Sequence, residues 1–188
     1  MIFEDYSEGV VLMKNGSRVS AHLNYDAANR NMMYKDRDIE MILTGSAQID
    51  TIYIGKYKFI PFGESYIEVI RLSNGLMGIN WLLKNVSQGH IGAYGVTTQA
   101  KVETLNTVAW NDYYGVNENQ HTEVFKLANN NEYSIFRNGN PVTFKTKRNL
   151  LKLFPEEKSV IERFMKENKT DMKKTEDVIN LINFCLGL

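Results

Sequence analysis

The sequence predicts an α+β protein: a curled antiparallel sheet or small β-barrel, followed by a short β-meander and two to three C-terminal helices. Three observations carry that expectation. The pairs Asn15-Gly16 and Asn74-Gly75 each divide arms of apolar character, and Asn-Gly suits the tight turn of a hairpin. Further arms crowd the first half, and a flat sheet of that size leaves edges to protect, which favours closure. Near residue 146 the apolar spacing changes from alternation to a helical repeat.

Val11 to Met13 leads through Asn15-Gly16 into Arg18 to Tyr25. There Val19, Ala21, Leu23 and Tyr25 share a face expected to be buried, and Arg18, Ser20, His22 and Asn24 a face expected to be wet. After a turn over Asp26 to Arg30, Asn31 to Tyr34 and Ile39 to Leu43 read as paired strands joined across Lys35-Asp36-Arg37-Asp38. Ile49 to Ile54 and Tyr57 to Ile60 bend at Gly55-Lys56, and Pro61, without an N–H, is expected to end that ladder. Tyr66 to Leu72 and Leu76 to Leu83 flank Asn74-Gly75. Asn85 to Thr122, punctuated by Gly89, Gly92 and Gly95, reads as a long, partly mobile loop or flap. Glu123 to Leu127, Glu132 to Arg137 and Val142 to Lys145 then form a three-stranded meander, turned at Asn129-Asn130-Asn131 and at Asn138-Gly139-Asn140-Pro141.

Thr146 caps a short helix over Lys147 to Phe154. Pro155, Glu156 and Glu157 suit the first turn of a second helix, whose apolar positions are Val160, Ile161, Phe164 and Met165. A last helix from Lys174 to Leu186 carries Val178, Ile179, Leu181, Ile182 and Cys185 as its stripe and stops at Gly187. The chain is thus expected to hold a β-rich unit at 1–110 and a meander-plus-helix unit at 111–188, packed as one body.

Composition narrows the function classes. The 188 residues are 43% hydrophobic, enough for a substantial core. Lys and Arg number 22 and so do Asp and Glu, and the net charge of 0 argues against a groove that grips a phosphate backbone. One cysteine, Cys185, excludes an internal disulfide and a thiolate metal cluster. No apolar run is long enough to span a bilayer. The opening Met1-Ile2-Phe3-Glu4-Asp5-Tyr6 lacks the basic region and apolar core of a secretory signal, so the chain is either cytoplasmic as written or stripped of a leader.

Catalytic and metal motifs are weak. His22, His90 and His121 lie far apart with no zinc-ligand spacing, and surface positions are expected for them. Cys185, on an apolar helical stripe, is expected in the core. Asp36, Asp38 and Glu40 beside Lys35 and Arg37 read as a solvated hairpin rim rather than a paired acid and base. No Gly-x-Ser-x-Gly occurs, and the Gly-rich run from Gly89 to Gly95 opens onto β-prone residues without Gly-Lys-Ser/Thr. No cofactor or metal is implied. The best binding candidates are Tyr94, Trp110, Tyr113 and Tyr114, whose flat faces beside Asn111 and Asp112 suit a glycan or a peptide; the alternative is that they pin the segment to the sheet. Lys145, Lys147, Arg148 and Lys152 form the nearest approach to a cationic patch, with Glu156 and Glu157 close behind, which reads as a solvated helix face rather than a nucleic-acid contact.

The run from Asn149 to Glu157, the run from Ile161 to Lys169, and Glu176-Asp177-Val178-Ile179 with Leu181-Ile182 resemble the tail of uncharacterised secreted or envelope proteins of Bacteroidetes-type bacteria. Gly9-Val10-Val11-Leu12, Asn15 to Val19 and Thr51 to Gly55 are similar to the front part of the same proteins. The resemblance implies a periplasmic or extracellular location after removal of a signal peptide, and it brings no catalytic residues. The expectation that follows is a non-enzymatic envelope module that binds a protein partner, with a glycan- or peptide-binding module second and an enzyme of unknown class third.

Overall fold

The computed structural model describes residues 1–91, 97–98 and 123–188. The chain divides into two units, Met1–Leu83 with Asn129–Leu188, and Lys84–Ala128. The 110/111 boundary expected from the sequence lies outside the described residues.

The first unit is built on β1 (Ser7–Met13), β2 (Arg18–Asp26), β3 (Asn31–Asp36), β4 (Ile39–Ile42), β5 (Ile49–Ile54), β6 (Tyr57–Phe62), β7 (Ser65–Leu72), β8 (Gly75–Asn80), β12 (Glu132–Arg137) and β13 (Asn140–Phe144). They form one antiparallel ten-stranded sheet in the order β13-β12-β8-β7-β6-β5-β1-β2-β3-β4. Two meanders, β1 to β4 and β5 through β8 to β13, therefore lie back to back where β1 pairs with β5. The α+β class holds, but the curled sheet or small barrel is corrected: the ladder is open, with β13 and β4 at opposite ends. The two ends are not joined to each other. Pro141 removes a donor from the β13 end, whereas β4, four residues long after the charged turn Arg37-Asp38, keeps its outer edge open.

Turn chemistry sets the register. At Asn138-Gly139, φ is +51° and +79°, as the mirror-image hairpin turn requires. Asn15-Gly16 works differently. Gly16 alone is left-handed at +86°, its N–H donates to the Met13 carbonyl at 2.9 Å, and Asn15 Oδ1 accepts from the Ser17 N–H at 2.9 Å. At the third pair the turn is Ser73-Asn74, and Gly75 already opens β8 opposite Leu72. Pro61 does not end its ladder. Pairing with β5 stops at Phe59, and β7 continues past Pro61 opposite Tyr66, so the missing N–H falls beyond the β5 ladder.

The second unit's strands are β9 (Leu83–Ile91), β10 (Thr97–Thr98) and β11 (Glu123–Asn129), ordered β10-β9-β11. Two expectations change here. Residues 85–91 are strand rather than loop, because pairing with distant residues overrides a run that lacks local alternation. The three-stranded meander is not formed: β11 belongs to this sheet, and β12 docks against β8. The asparagines at 129–131 serve as brackets. The Asn131 N–H donates to Asn129 Oδ1 at 2.8 Å, Asn131 Oδ1 accepts from the Leu82 N–H at 2.8 Å, and Asn129 Nδ2 donates to the Lys173 carbonyl at 3.0 Å.

Helices α1 (Lys147–Leu153), α2 (Lys158–Glu167) and α3 (Thr175–Cys185) follow. Thr146 Oγ1 accepts from the Asn149 N–H at 3.3 Å, the cap expected there. Because α2 begins at Lys158, Pro155 and Glu156 occupy the bend before it rather than its first turn. Two buried clusters result. One joins Met77, Ile79, Tyr133, Ile135 and Phe144 of the sheet to Leu150, Ile161, Leu181 and Ile182 of the helices. The other joins Leu23, Tyr25, Met32, Ile52, Ile54 and Phe59. Trp81 packs against both, and its Nε1–H donates to Glu68 Oε2 at 2.6 Å.

Candidate functional site

The far end of the β1–β4 meander opens into a groove of about 650 Å³. Its floor continues the second cluster: Val11 and Ile49 are buried there, and Val11 stands opposite Val19 across the β1–β2 ladder. Tyr34 and Met41 face each other across β3 and β4, with the Tyr34 hydroxyl donating to Met41 Sδ at 3.4 Å. A strap closes the opposite wall. Gly45, with φ +78°, starts a single 3-10 turn over Ser46–Gln48, and the Gln48 carbonyl accepts from the Lys14 N–H at 2.9 Å.

The rim is apolar where strands of a folded sheet are usually polar. Val19 is 53% exposed and Ile42 50%; Ile39, 65% exposed, lies at the start of β4 outside the groove lining. Alternation along β2 assigns Val19 to the core, but the groove leaves its outer side uncovered. His22 and Lys35 face each other across β2 and β3, and with Arg37 they supply the polar margin.

The backbone of β4 adds a second resource. The Leu43 N–H donates to the Met32 carbonyl at 2.8 Å, so by antiparallel alternation the N–H and C=O of Met41 and Ile39 also face β3. Those of Glu40 and Ile42 face outward, where the described residues supply no neighbouring strand. Apolar side chains along a groove beside a row of open donors and acceptors suit the capture of an extended peptide as an added strand.

Compared with known proteins, the chain matches no family model, no curated protein and no solved structure. Tyr94, Trp110, Tyr113 and Tyr114 lie outside the described residues. Asp36, Asp38 and Glu40 are split between the end of β3, its turn and β4, and among the described residues no three His, Cys, Asp or Glu side chains converge as metal ligands. His22 is exposed on β2. No helix among the described residues is long and apolar enough to cross a membrane. Cys185 is 2% exposed, and burial pushes its thiol up to about 12, which suits a core residue.

The buried polar groups serve the fold. Ser65 Oγ donates to the Arg30 carbonyl at 3.1 Å and lies 3.0 Å from the Tyr25 hydroxyl, which also reaches the Tyr66 carbonyl at 3.3 Å. Burial raises both the Tyr25 and Tyr66 phenols, so neither is poised to act as a base. Sequence reasoning missed the β4 groove. The available signal was Ile39-Glu40-Met41-Ile42, which puts isoleucine on both faces of one short strand.

Proposed function

We propose that this protein is a non-enzymatic binding module that captures a protein partner by adding an extended segment of that partner to the outer edge of β4. The observation that carries this is the coincidence, on one strand, of an open hydrogen-bonding edge and an exposed isoleucine, Ile42, that lines a groove with Val11, Val19, Tyr34 and Met41. Main-chain bonds to Glu40 and Ile42 supply affinity, and alternate partner side chains entering the groove supply selectivity. A place in the cell envelope rests on the resemblance carried by residues 149–182 and by the front strands.

The test uses two substitutions at one position. Glu40→Pro removes an outward N–H and leaves the β3 ladder intact, because proline is tolerated on an edge whose N–H faces away from its neighbour. Glu40→Ala removes the same side chain and keeps the N–H. In a crosslinked pull-down from the source cells, a stoichiometric protein is recovered by the wild type and by Glu40→Ala and lost by Glu40→Pro. Equal recovery by all three, or no stoichiometric protein at all, overturns the proposal.

A further inference from the structure

Helices α1 and α2 flank a second, shallow groove, of about 660 Å³, outside the site just described. Lys147, Arg148, Leu151 and Lys152 fall on one side of α1, since positions four apart on a helix stack on the same face. Lys158 joins them from the first turn of α2, so four cations surround a floor of Leu151 and Pro155. One carboxylate enters the lining, Glu162, and its Oε1 lies 3.2 Å from Lys147 Nζ. Among the described residues, Arg148, Lys152 and Lys158 form no ion pair, and Glu156 and Glu157, adjacent in sequence, do not line the groove.

We infer that this groove binds an acidic polypeptide segment that carries an aliphatic side chain. Three exposed cations free of ion pairs attract a segment of opposite charge, and Leu151 and Pro155 offer an apolar contact between them. The details disfavour other polyanions. Among the described residues no aromatic ring lines the groove to stack a base, and the balanced net charge of 0 provides no broad field for a nucleic-acid backbone. Leu151 is buried and Pro155 is the one exposed apolar residue of the lining, too little apolar surface to insert into lipid.

The whole chain is titrated, by fluorescence anisotropy, into a short labelled glutamate-rich peptide containing one leucine. Binding that weakens with added salt is expected, and Arg148→Glu with Lys152→Glu weakens it about tenfold or more. The control Lys14→Glu with Lys173→Glu, exposed and outside the groove, leaves it unchanged. Replacing the peptide leucine by glycine weakens binding severalfold. If the charge-reversed protein fails to fold, Arg148→Gln with Lys152→Gln substitutes for it and is expected to give a smaller loss in the same direction. Absence of binding, equal binding by the groove variants and the control, or tighter binding to single-stranded DNA or anionic vesicles overturns the inference.

Discussion

Asn24 sits on the face of β2 that alternation assigns to water, yet it is only 1% exposed. Its amide satisfies the N-terminal segment: Oδ1 accepts from the Phe3 N–H at 3.3 Å and from the Tyr25 N–H at 2.8 Å, while Nδ2 donates to the Phe3 carbonyl at 3.1 Å. Asn24→Ala leaves these backbone groups without partners, and a loss of about 2 kcal/mol is expected in urea unfolding, together with faster hydrogen exchange at the Phe3 amide. Glu68 is a different case. Burial raises its carboxyl above the ordinary range, and the Trp81 hydrogen bond only partly opposes that. Between the unfolded and the raised folded pKa, the native state binds more protons than the unfolded state. Stability from this group therefore falls as pH rises through that window. Asp26 has the opposite sign. Burial alone would raise it, but hydrogen bonds from the Asn29 side chain and the Ala28 and Asn29 N–H groups hold it below the usual range, so its stabilisation is lost as pH falls. Glu68→Gln keeps an acceptor for Trp81 and removes only the Glu68 part. The wild type is expected to gain stability relative to Glu68→Gln as pH is lowered from neutrality toward the ordinary carboxylate range, and parallel pH profiles would contradict this.

At the scale of elements, close approach matters as much as propensity. Gly9 lies in β1 between β2 and β5, and a Cβ there would stand 2.5 Å from the Tyr53 carbonyl oxygen and 2.7 Å from Leu23 Cδ1. The carbonyl belongs to the ladder and cannot swing away as a side-chain end can. Gly9→Ala is therefore expected to destabilise the protein by about 3 kcal/mol, read as a lower urea midpoint with an unchanged slope. Most strands and all three helices were legible in the sequence because their cues are local: Thr146 before a helical run, Asn138-Gly139 between alternating arms, and the stripe Val178, Leu181, Ile182 and Cys185 that does become buried. The errors fall where a distant partner decides. Asn129 to Asn131 have a turn-forming composition, but their amides are engaged by Leu82 and the segment before α3. The groove was legible only as the double-faced run Ile39-Glu40-Met41-Ile42, since exposure of Val19 and Ile42 depends on what the strap over residues 43–48 leaves uncovered.

At the scale of the molecule, the expectation of closure failed because β13 and β4 end the sheet at opposite sides without pairing, one edge carrying Pro141 and the other left open. Sequence shows how many arms exist, but the pairing of β1 with β5 is a non-consecutive contact that no turn dictates. The pairing of β8 with β12, of longer range than that of β1 with β5, has a further consequence. Asn80 stands opposite Glu132, and the Asn130 N–H donates to the Leu82 carbonyl at 2.9 Å, so the chain leaves for residues 84–128 and returns at neighbouring points. The first unit is thus an interrupted hairpin, a host with a nested insert. Excising 84–128 and rejoining the ends through a short Gly-Asn turn is expected to leave a host with a single cooperative thermal transition by circular dichroism; a broad, non-cooperative melt would contradict this. The excision also changes kinetics. What is now one of the longest-range contacts in the sheet becomes a nearest-neighbour turn, the sequence distance that must be searched before β12 finds β8 collapses, and the shortened host is expected to refold faster than the full chain.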